Sequence, residues 1–333
     1  MDYSKYMEHA INMAAEFKYT AKPNPVVGAL ILEQEQIICE GFHENYGGPH
    51  AEVNCLEQLK KLGNKQRENL TLICTLEPCN HFGKTPPCTD QIIKSGIKNV
   101  VIGSVDPNPK VSGSGIKKME ENGITVTRGI LDKEARKINE YFFFKHEKKR
   151  PFITIKIASS KDGKSYDADG STTWITSKDS RSDVQLLRAE HDAILTGGNT
   201  VRNDNPRMNA RVNFPINQPK KILLSSKDDW DMNLNFFQNS DFEIIKETNI
   251  TKIIGSSFFQ NINSVMVEAG PKLVNAFLKN ELCDRLIIYQ SQNDLGSNGI
   301  NWFENDDHID KYGFKLKSNY TIGPDVKMVL ENE

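Results

Sequence analysis

The 333-residue sequence is short of most features that would place a protein in a class at sight. No apolar run approaches the roughly 20 residues that a helix needs to cross a bilayer, so no membrane partner is expected. Charge of one sign is missing: 42 basic residues against 44 acidic ones leave a net charge of -2. A nucleic-acid binder usually carries a basic excess or stripe, and none is present. The six cysteines, at 39, 55, 74, 79, 88 and 283, form no disulfide framework. They read as thiols of a reducing compartment, which makes the cytoplasm the expected location. The start, Met1-Asp2-Tyr3-Ser4, lacks the basic n-region of a secretory signal. There is no Gly-x-Gly-x-x-Gly fingerprint, no internal repeat and no heptad pattern, which sets aside an ordinary Rossmann site, a solenoid and a coiled coil.

What the chain does have is concentrated in Pro49-His50-Ala51-Glu52, answered by Pro78-Cys79 and, across a Gly- and Pro-rich loop, by Cys88. One histidine and two cysteines suit Zn²⁺, and three protein ligands leave a fourth tetrahedral position for water. Glu52 stands two residues from the histidine, close enough to reach that water without being a ligand. This is the pattern of zinc-dependent base deaminases, in which the glutamate shuttles protons. The eight residues between the two cysteines depart from the usual spacing of two. A closed structural zinc site would need a fourth Cys or His and would leave Glu52 idle. His43 and His81 flank the ligands and fit a ring contact and a structural histidine equally well. Asn24, Asp106 and Asn108 lie in loops at strand ends, where such side chains contact ligands or simply fix turns.

The length suggests two domains on a prior of roughly 150 residues each. The first half alternates: a helix over 3–17, strands at 26–32 and 37–39, a helix from Ala51 to Leu62, a strand over 70–76, a short helix over 89–95 and a strand at 100–102. A helix over 115–122, a strand at 124–127 and a helix over 132–143 follow. The cluster from Lys145 to Pro151 reads as a solvated linker. A second series starts with the alternating strand 152–158, then a helix N-capped by Ser177 and strands at 193–196 and 222–224. Residues 226–243, rich in Asp and Asn, read as a surface loop, before strands at 265–268 and 286–289 and a terminal β pair near 314–331. Both halves thus predict α/β layers with ligands at the strand C-termini.

In the second half, Glu268-Ala269-Gly270-Pro271 joins a strand to a helix. Gly lets backbone approach a ligand, Pro suits the first helical turn, and freed N–H groups attract phosphate. With Gly197-Gly198 at another strand end, this makes a case for a nucleotide. Arg188, Arg207 and Arg211 can clamp a phosphate or sit solvated on the surface, and Trp174 can stack on a ring or merely pack.

Over nearly its whole length the chain resembles the bifunctional diaminohydroxyphosphoribosylaminopyrimidine deaminase/reductase family of riboflavin biosynthesis. The resemblance is carried by Asn24-Pro25-Val26-Val27-Gly28, Pro49-His50-Ala51-Glu52, the stretch from Glu77 to Cys88 and Asp106-Pro107-Asn108-Pro109. In the second half it rests on Lys156, Asp162-Gly163, Trp174-Ile175-Thr176, Leu187-Arg188-Ala189, Thr200 through Pro206, Arg211 and Val267 through Pro271. It implies a cytidine-deaminase-like three-layer α/β/α domain over 1–147 and a dihydrofolate-reductase-like α/β domain over 148–333. Implied with it are Zn²⁺ on His50, Cys79 and Cys88, catalysis by Glu52, and phosphorylated pyrimidine substrates. The same resemblance puts Ala158, Trp174, Thr200, Asp204, Gly270 and Pro271 near NADPH. It puts Lys156, Thr172, Arg188, Met208, Arg211 and Glu268 near substrate, where Asn24, His43, His81, Asp106 and Asn108 stand as the first half's own candidates, and it suggests a homo-oligomer. The chain departs from the family at Lys161, at Ser225-Ser226, over 226–264 and over 290–293. The alternative is therefore a deaminase with a degenerate second domain.

Overall fold

The computed structural model describes residues 1–63, 66–82, 86–109, 111–168, 174–238, 241–303 and 309–332, with the side chains of residues 167, 310 and 311 left aside. The chain divides into two compact units, Met1–Lys148 and Lys149–Glu333.

The first unit runs α1 (Ser4–Ala15), β1 (Gly28–Glu33), β2 (Gln36–Phe42), α2 (Ala51–Lys61), β3 (Leu70–Leu76), α3 (Cys88–Ser95), β4 (Asn99–Ser104), α4 (Ser114–Glu121), β5 (Thr125–Arg128), α5 (Asp132–Lys137) and α6 (Glu140–Lys148). Its sheet has the order β2-β1-β3-β4-β5, antiparallel on the β1 side and parallel from β3 to β5. Because side chains alternate across a strand, Leu30, Leu32, Ile73 and Val101 meet α1 and Ala135 on one face. Ala29, Ile31, Leu72, Cys74, Val100 and Ile102 meet Cys55, Leu59, Ile92 and Met119 on the other. Two apolar faces need two helix layers, and the result is three layers. Gly41 permits the closest approach: a Cβ there would fall 2.3 Å from the Ala51 carbonyl oxygen, so α2 starts directly against β2.

The helix expected over 132–143 is instead two helices. Asn139 interrupts it, because its side chain accepts from the Val26 N–H and donates to the Val26 carbonyl, both at 2.8 Å. The 145–151 cluster is likewise no solvated linker. Residues 145–148 are the last turn of α6, Lys145 is half-buried, and Arg150 makes a bidentate pair with Asp284 at 2.7 Å.

The second unit continues with β6 (Phe152–Ser159), β7 (Lys164–Asp167), α7 (Lys178–Glu190), β8 (Ala193–Gly197), α8 (Gly198–Asp204), β9 (Lys220–Leu224), β10 (Phe242–Ile245) and α9 (Ile250–Ile254). It ends with β11 (Ser264–Val267), α10 (Pro271–Lys279), β12 (Arg285–Gln290), β13 (Gly299–Asn301), β14 (Phe314–Ile322) and β15 (Asp325–Asn332). Eight strands form one sheet in the order β10-β9-β8-β11-β6-β12-β15-β14, parallel from β10 to β12 and antiparallel beyond; β7 and β13 pair separately. Ile153, Ile155 and Ile157 point to the face covered by α9 and α10, whereas Ile194, Leu223, Met266 and Tyr289 point to the face with Val184 and Leu187 of α7. Ser177 caps α7 by accepting from the Ser180 N–H at 3.2 Å, as its sequence predicts.

Residues 226–243 are not simply a surface loop. Trp230, Phe236 and Phe237 are buried, and β10 opens at Phe242. The reason is Lys221, fully buried in β9, whose ammonium donates to the carbonyls of Phe236 and Gln238 and holds the segment down.

Candidate active sites

The first site lies where α2 and α3 begin. His50 has extended backbone (φ -72°, ψ 159°) at the N-cap of α2, and its ring turns to the cysteines instead of capping the helix. Its Nδ1 is 3.2 Å from Cys88 Sγ and 3.6 Å from Cys79 Sγ. The Cys88 N–H also donates to Cys79 Sγ at 3.4 Å, which ties the end of the Cys-to-Cys loop to its beginning. All three ligand atoms lie within 4.8 Å of one another. A tetrahedral zinc with bonds of about 2.0 to 2.3 Å places its nitrogen and sulfur donors about 3.5 Å apart, so the cluster fits that ion. Bonds from Cys88 and His50 bring the Cys79 thiol down to about 4, and the bond to Cys79 raises His50 to about 9. A thiolate is therefore already favoured where a cation would sit.

Glu52, in the first turn of α2, is 3% exposed. Burial raises its carboxyl pKa, against the opposing pull of His50. A buried carboxyl whose two protonation states are drawn together in this way suits proton exchange. His43 stands edge-on to His50, with ring centres 5.6 Å apart. Its Nδ1 donates to the Pro49 carbonyl at 3.0 Å, and its Nε2 lies 3.1 Å from Asn24 Nδ2. Burial lowers the His43 pKa, so the ring is neutral, its Nε2 accepts, and Asn24 is the donor. That fixes the orientation of Asn24 and leaves its Oδ1 facing away from His43. Asp106 accepts from the Asn108 N–H at 2.7 Å, and burial raises its carboxyl to about 7. Asn108 is half-buried and His81 exposed.

Sequence reasoning missed Glu77. It is buried, and its carboxylate accepts from the N–H groups of Asp106 (3.2 Å), Gly113 (3.0 Å), Gly115 (3.0 Å) and Ile116 (3.3 Å). One side chain thus caps α4 and fixes the 106–113 turn beside Cys79. The signal that could have found it was an acidic residue just after β3, ahead of a turn closed by Gly113 and Gly115. Gly115 is required there, since a Cβ would lie 2.3 Å from the Pro78 carbonyl oxygen.

The second site gathers at the C-terminal ends of β6 and β11. Glu268 receives Arg188 through Nε at 2.9 Å and Nη2 at 2.8 Å, and Lys156 at 3.4 Å. Burial works to raise its carboxyl, but Arg188 and Lys156 prevail and hold it at about 2. The third face of Arg188 donates to the Asn209 carbonyl at 3.2 Å. Its guanidinium is therefore committed within the protein. The exposed cations beside it are Arg207 and Arg211; burial and then the charges of Arg188 and Arg207 lower the Arg211 pKa. Three cations around one carboxylate, with Arg207 beside Arg211, leave an excess of positive charge.

Two family descriptions match the chain: the cytidine and deoxycytidylate deaminase zinc-binding region over residues 1–104, and the RibD C-terminal domain over residues 151–328. The riboflavin biosynthesis protein RibD of Aquifex aeolicus is 38% identical across 87% of this chain and 87% of its own length. That of Escherichia coli is 34% identical across 98% of each. The chain belongs to the RibD family. Among solved structures, RibD of Acinetobacter baumannii superposes with a TM-score of 0.90 at 32% identity, covering 99% of this chain and 98% of that one. The deaminase/reductase of Thermotoga maritima gives 0.86 at 34% identity, covering 99% of each chain. The expected fold, a cytidine-deaminase-like domain followed by a dihydrofolate-reductase-like one, is the fold of the chain.

The RibD C-terminal domain match spans residues 226–264, which read as atypical for the family in sequence. The remaining expected contacts spread along the same sheet edge. Ala158 lies next to last in β6, Gly270 caps and Pro271 opens α10, and Thr200 and Asp204 lie on α8. Trp174 is exposed, with the Arg181 guanidinium 4.6 Å over its ring. Met208 has φ +49° and a side chain buried against Val184 and Leu187, so its backbone is what remains for a ligand. Thr172 lies outside the described residues. No helix among the described residues is long and apolar enough to cross a membrane.

Proposed function

We propose that this RibD family member is a bifunctional enzyme of riboflavin biosynthesis, with a zinc deaminase over 1–147 and an NADPH-dependent reductase over 148–333. The substrate of the first is 2,5-diamino-6-ribosylamino-4(3H)-pyrimidinone 5′-phosphate; the second reduces the ribosyl side chain of the deaminated uracil product to ribityl. The observation that carries the reading is Glu52, buried beside a three-ligand cluster that leaves a fourth position open.

His50, Cys79 and Cys88 hold the zinc, which when bound supplies an acidified water. Glu52 takes a proton from the attacking water and gives it to the ring nitrogen, then takes the second from the hydroxyl added to the ring carbon and gives it to the departing amine. Water replaces the amino group, and ammonia leaves. Asn24, oriented by His43, offers Oδ1 to the ring, and the backbone around Asp106 and Asn108, held by Glu77, closes the opposite side. His81 is the exposed polar contact proposed for the phosphoribosyl end.

In the second unit, bound NADPH supplies the hydride. Lys156 and the ionised Glu268 face the sugar, with Arg188 holding Glu268 in place, and Arg207 and Arg211 take the substrate phosphate. Gly270 and Pro271 turn the start of α10 toward the cofactor phosphates, while Ala158, Trp174, Thr200 and Asp204 line its path. The test is a coupled assay on the pyrimidine phosphate, following ammonia and cofactor absorbance separately. Both signals are expected; ammonia alone would leave a deaminase with a degenerate second domain. A cytoplasmic homo-oligomer completes the proposal, and light scattering on the purified chain checks the assembly.

A further inference from the structure

Helix α7 takes part of its cap from the far end of the second unit. A capping box joins a Ser or Thr at the N-cap to a Glu or Gln three residues on, whose side chain accepts from the N-cap N–H. Only half of that box is local here. Ser177 Oγ accepts from the Ser180 N–H at 3.2 Å, but the residue three positions on is Ser180 itself, whose hydroxyl donates to Asp325 Oδ2 at 2.6 Å. The Ser177 N–H donates to the same oxygen at 2.7 Å. Asp325, at the start of β15 and 148 residues from Ser177, thus supplies the carboxylate that a glutamate at position 180 would supply. It is 2% exposed, so these bonds are shielded from water.

Gly323 brings Asp325 there. It has φ +56°, and a Cβ on it would lie 2.4 Å from Asp179 Oδ2, so the β14–β15 turn rests directly on the first turn of α7. One helical turn further on, Asp183 accepts from Lys327 of β15 at 2.7 Å and from the Tyr289 hydroxyl. The Ser177 side chain already starts the helix; the bond from its N–H to Asp325 fixes how residues 174–176 arrive. Arg181 of α7 reaches back over the same segment, donating to the Thr176 carbonyl and stacking on Trp174. We propose that Asp325 is a positioning residue of the reductase: by completing the capping box of α7 from β15, it sets Trp174 and its neighbours against the cofactor. This inference rests on the reading of the second unit as an NADPH-dependent reductase.

The experiment is steady-state reduction of the deaminated uracil phosphate by the full chain with NADPH varied. Ammonia release from the diamino substrate is measured on the same preparations. Asp325→Ala should raise the KM for NADPH ~10-fold, the scale of one lost charge-assisted bond, with kcat changed less and ammonia release unchanged. A purely structural role would do the reverse, because fewer folded chains lower kcat and leave KM where it was. Asp325→Asn, which keeps one acceptor oxygen, should fall between the two and serves if Asp325→Ala fails to fold. Asp325→Ala combined with Ser180→Glu rebuilds the box within α7 and should return KM toward wild type. An unchanged KM in the Asp325 variants, or a raised KM that Ser180→Glu leaves raised, would overturn the assignment while leaving the reductase reading in place. A wild type that does not oxidise NADPH on the deaminated substrate would overturn both.

Discussion

The two units solve opposite electrostatic problems. The first gathers donors for a cation: a thiolate, a second thiol, an imidazole and, beside them, a carboxyl that burial raises. The second gathers cations, with Lys156, Arg188 and Arg211 around the carboxylate of Glu268 and Arg207 beside Arg211. In the first, neutral His43 and Asn24 orient without adding charge; in the second, orientation comes from charge itself, through the bidentate Arg188 pair. The difference teaches where each unit is vulnerable. Removing a ligand from the first empties it of its function, whereas removing a charge from the second leaves others unpaired in a partly buried cluster.

The largest effect is therefore expected from Cys79→Ala. It deletes one of three ligands, so metal analysis should show zinc lost and ammonia release abolished, with hydride transfer to the deaminated intermediate retained. Full zinc occupancy in that variant would remove Cys79 from the site. Glu52→Gln comes next. It keeps the shape and the metal but cannot accept a proton, and deamination should fall by at least ~10². Normal ammonia release from zinc-loaded protein would show that another group moves the proton.

Glu77→Ala sharpens the comparison from the structural side. Four backbone N–H groups lose their acceptor, two of them in the first turn of α4. The expected cost is on the order of 3 kcal/mol, seen as earlier denaturant unfolding of the first unit alone. A shift of the second transition instead would mean that the two units do not unfold separately.

How much could be read from the chain follows the same division. The metal cluster is carried by short motifs, and the start of α2 follows from Gly47-Gly48-Pro49, so ligands, glutamate and helix were legible together. The break between α5 and α6 was not, because the partner of Asn139 is Val26, 113 residues away. Residues 226–243 looked solvated by composition, yet Lys221 helps bury three of the four aromatics among them through carbonyl bonds that no local pattern announces. Arg188 was legible as a site residue but not in its role: its partner is Glu268, 80 residues on. Where function is written in neighbouring residues, sequence suffices; where it is written in pairs across a sheet, the fold must supply it.

The smallest effect is one of pH, and it runs in opposite directions in the two units. Glu268 sits at about 2 in the folded second unit against its ordinary 4.5. Between those values the unfolded chain binds more protons, so the contribution of Glu268 is complete above pH 4.5 and is lost as pH falls toward 2. At about 1.4 kcal/mol for each tenfold change in proton affinity, the full loss is on the order of 3 kcal/mol, and only part of it is reached by pH 3. Asp106 behaves inversely. Burial raises it to about 7 from 3.8, so its contribution is complete below pH 3.8 and disappears as pH rises through 7. Denaturant melts of the intact protein at pH 5 and pH 3 should therefore show the second unit weakening on acidification. Glu268→Gln should flatten that acid dependence of the second unit, at the expense of its stability at neutral pH. Asp106→Asn should flatten the part of the first unit's dependence that lies between pH 4 and 7. An acid slope of the second unit that survives Glu268→Gln would mean that Glu268 is not the carboxylate its cations hold ionised.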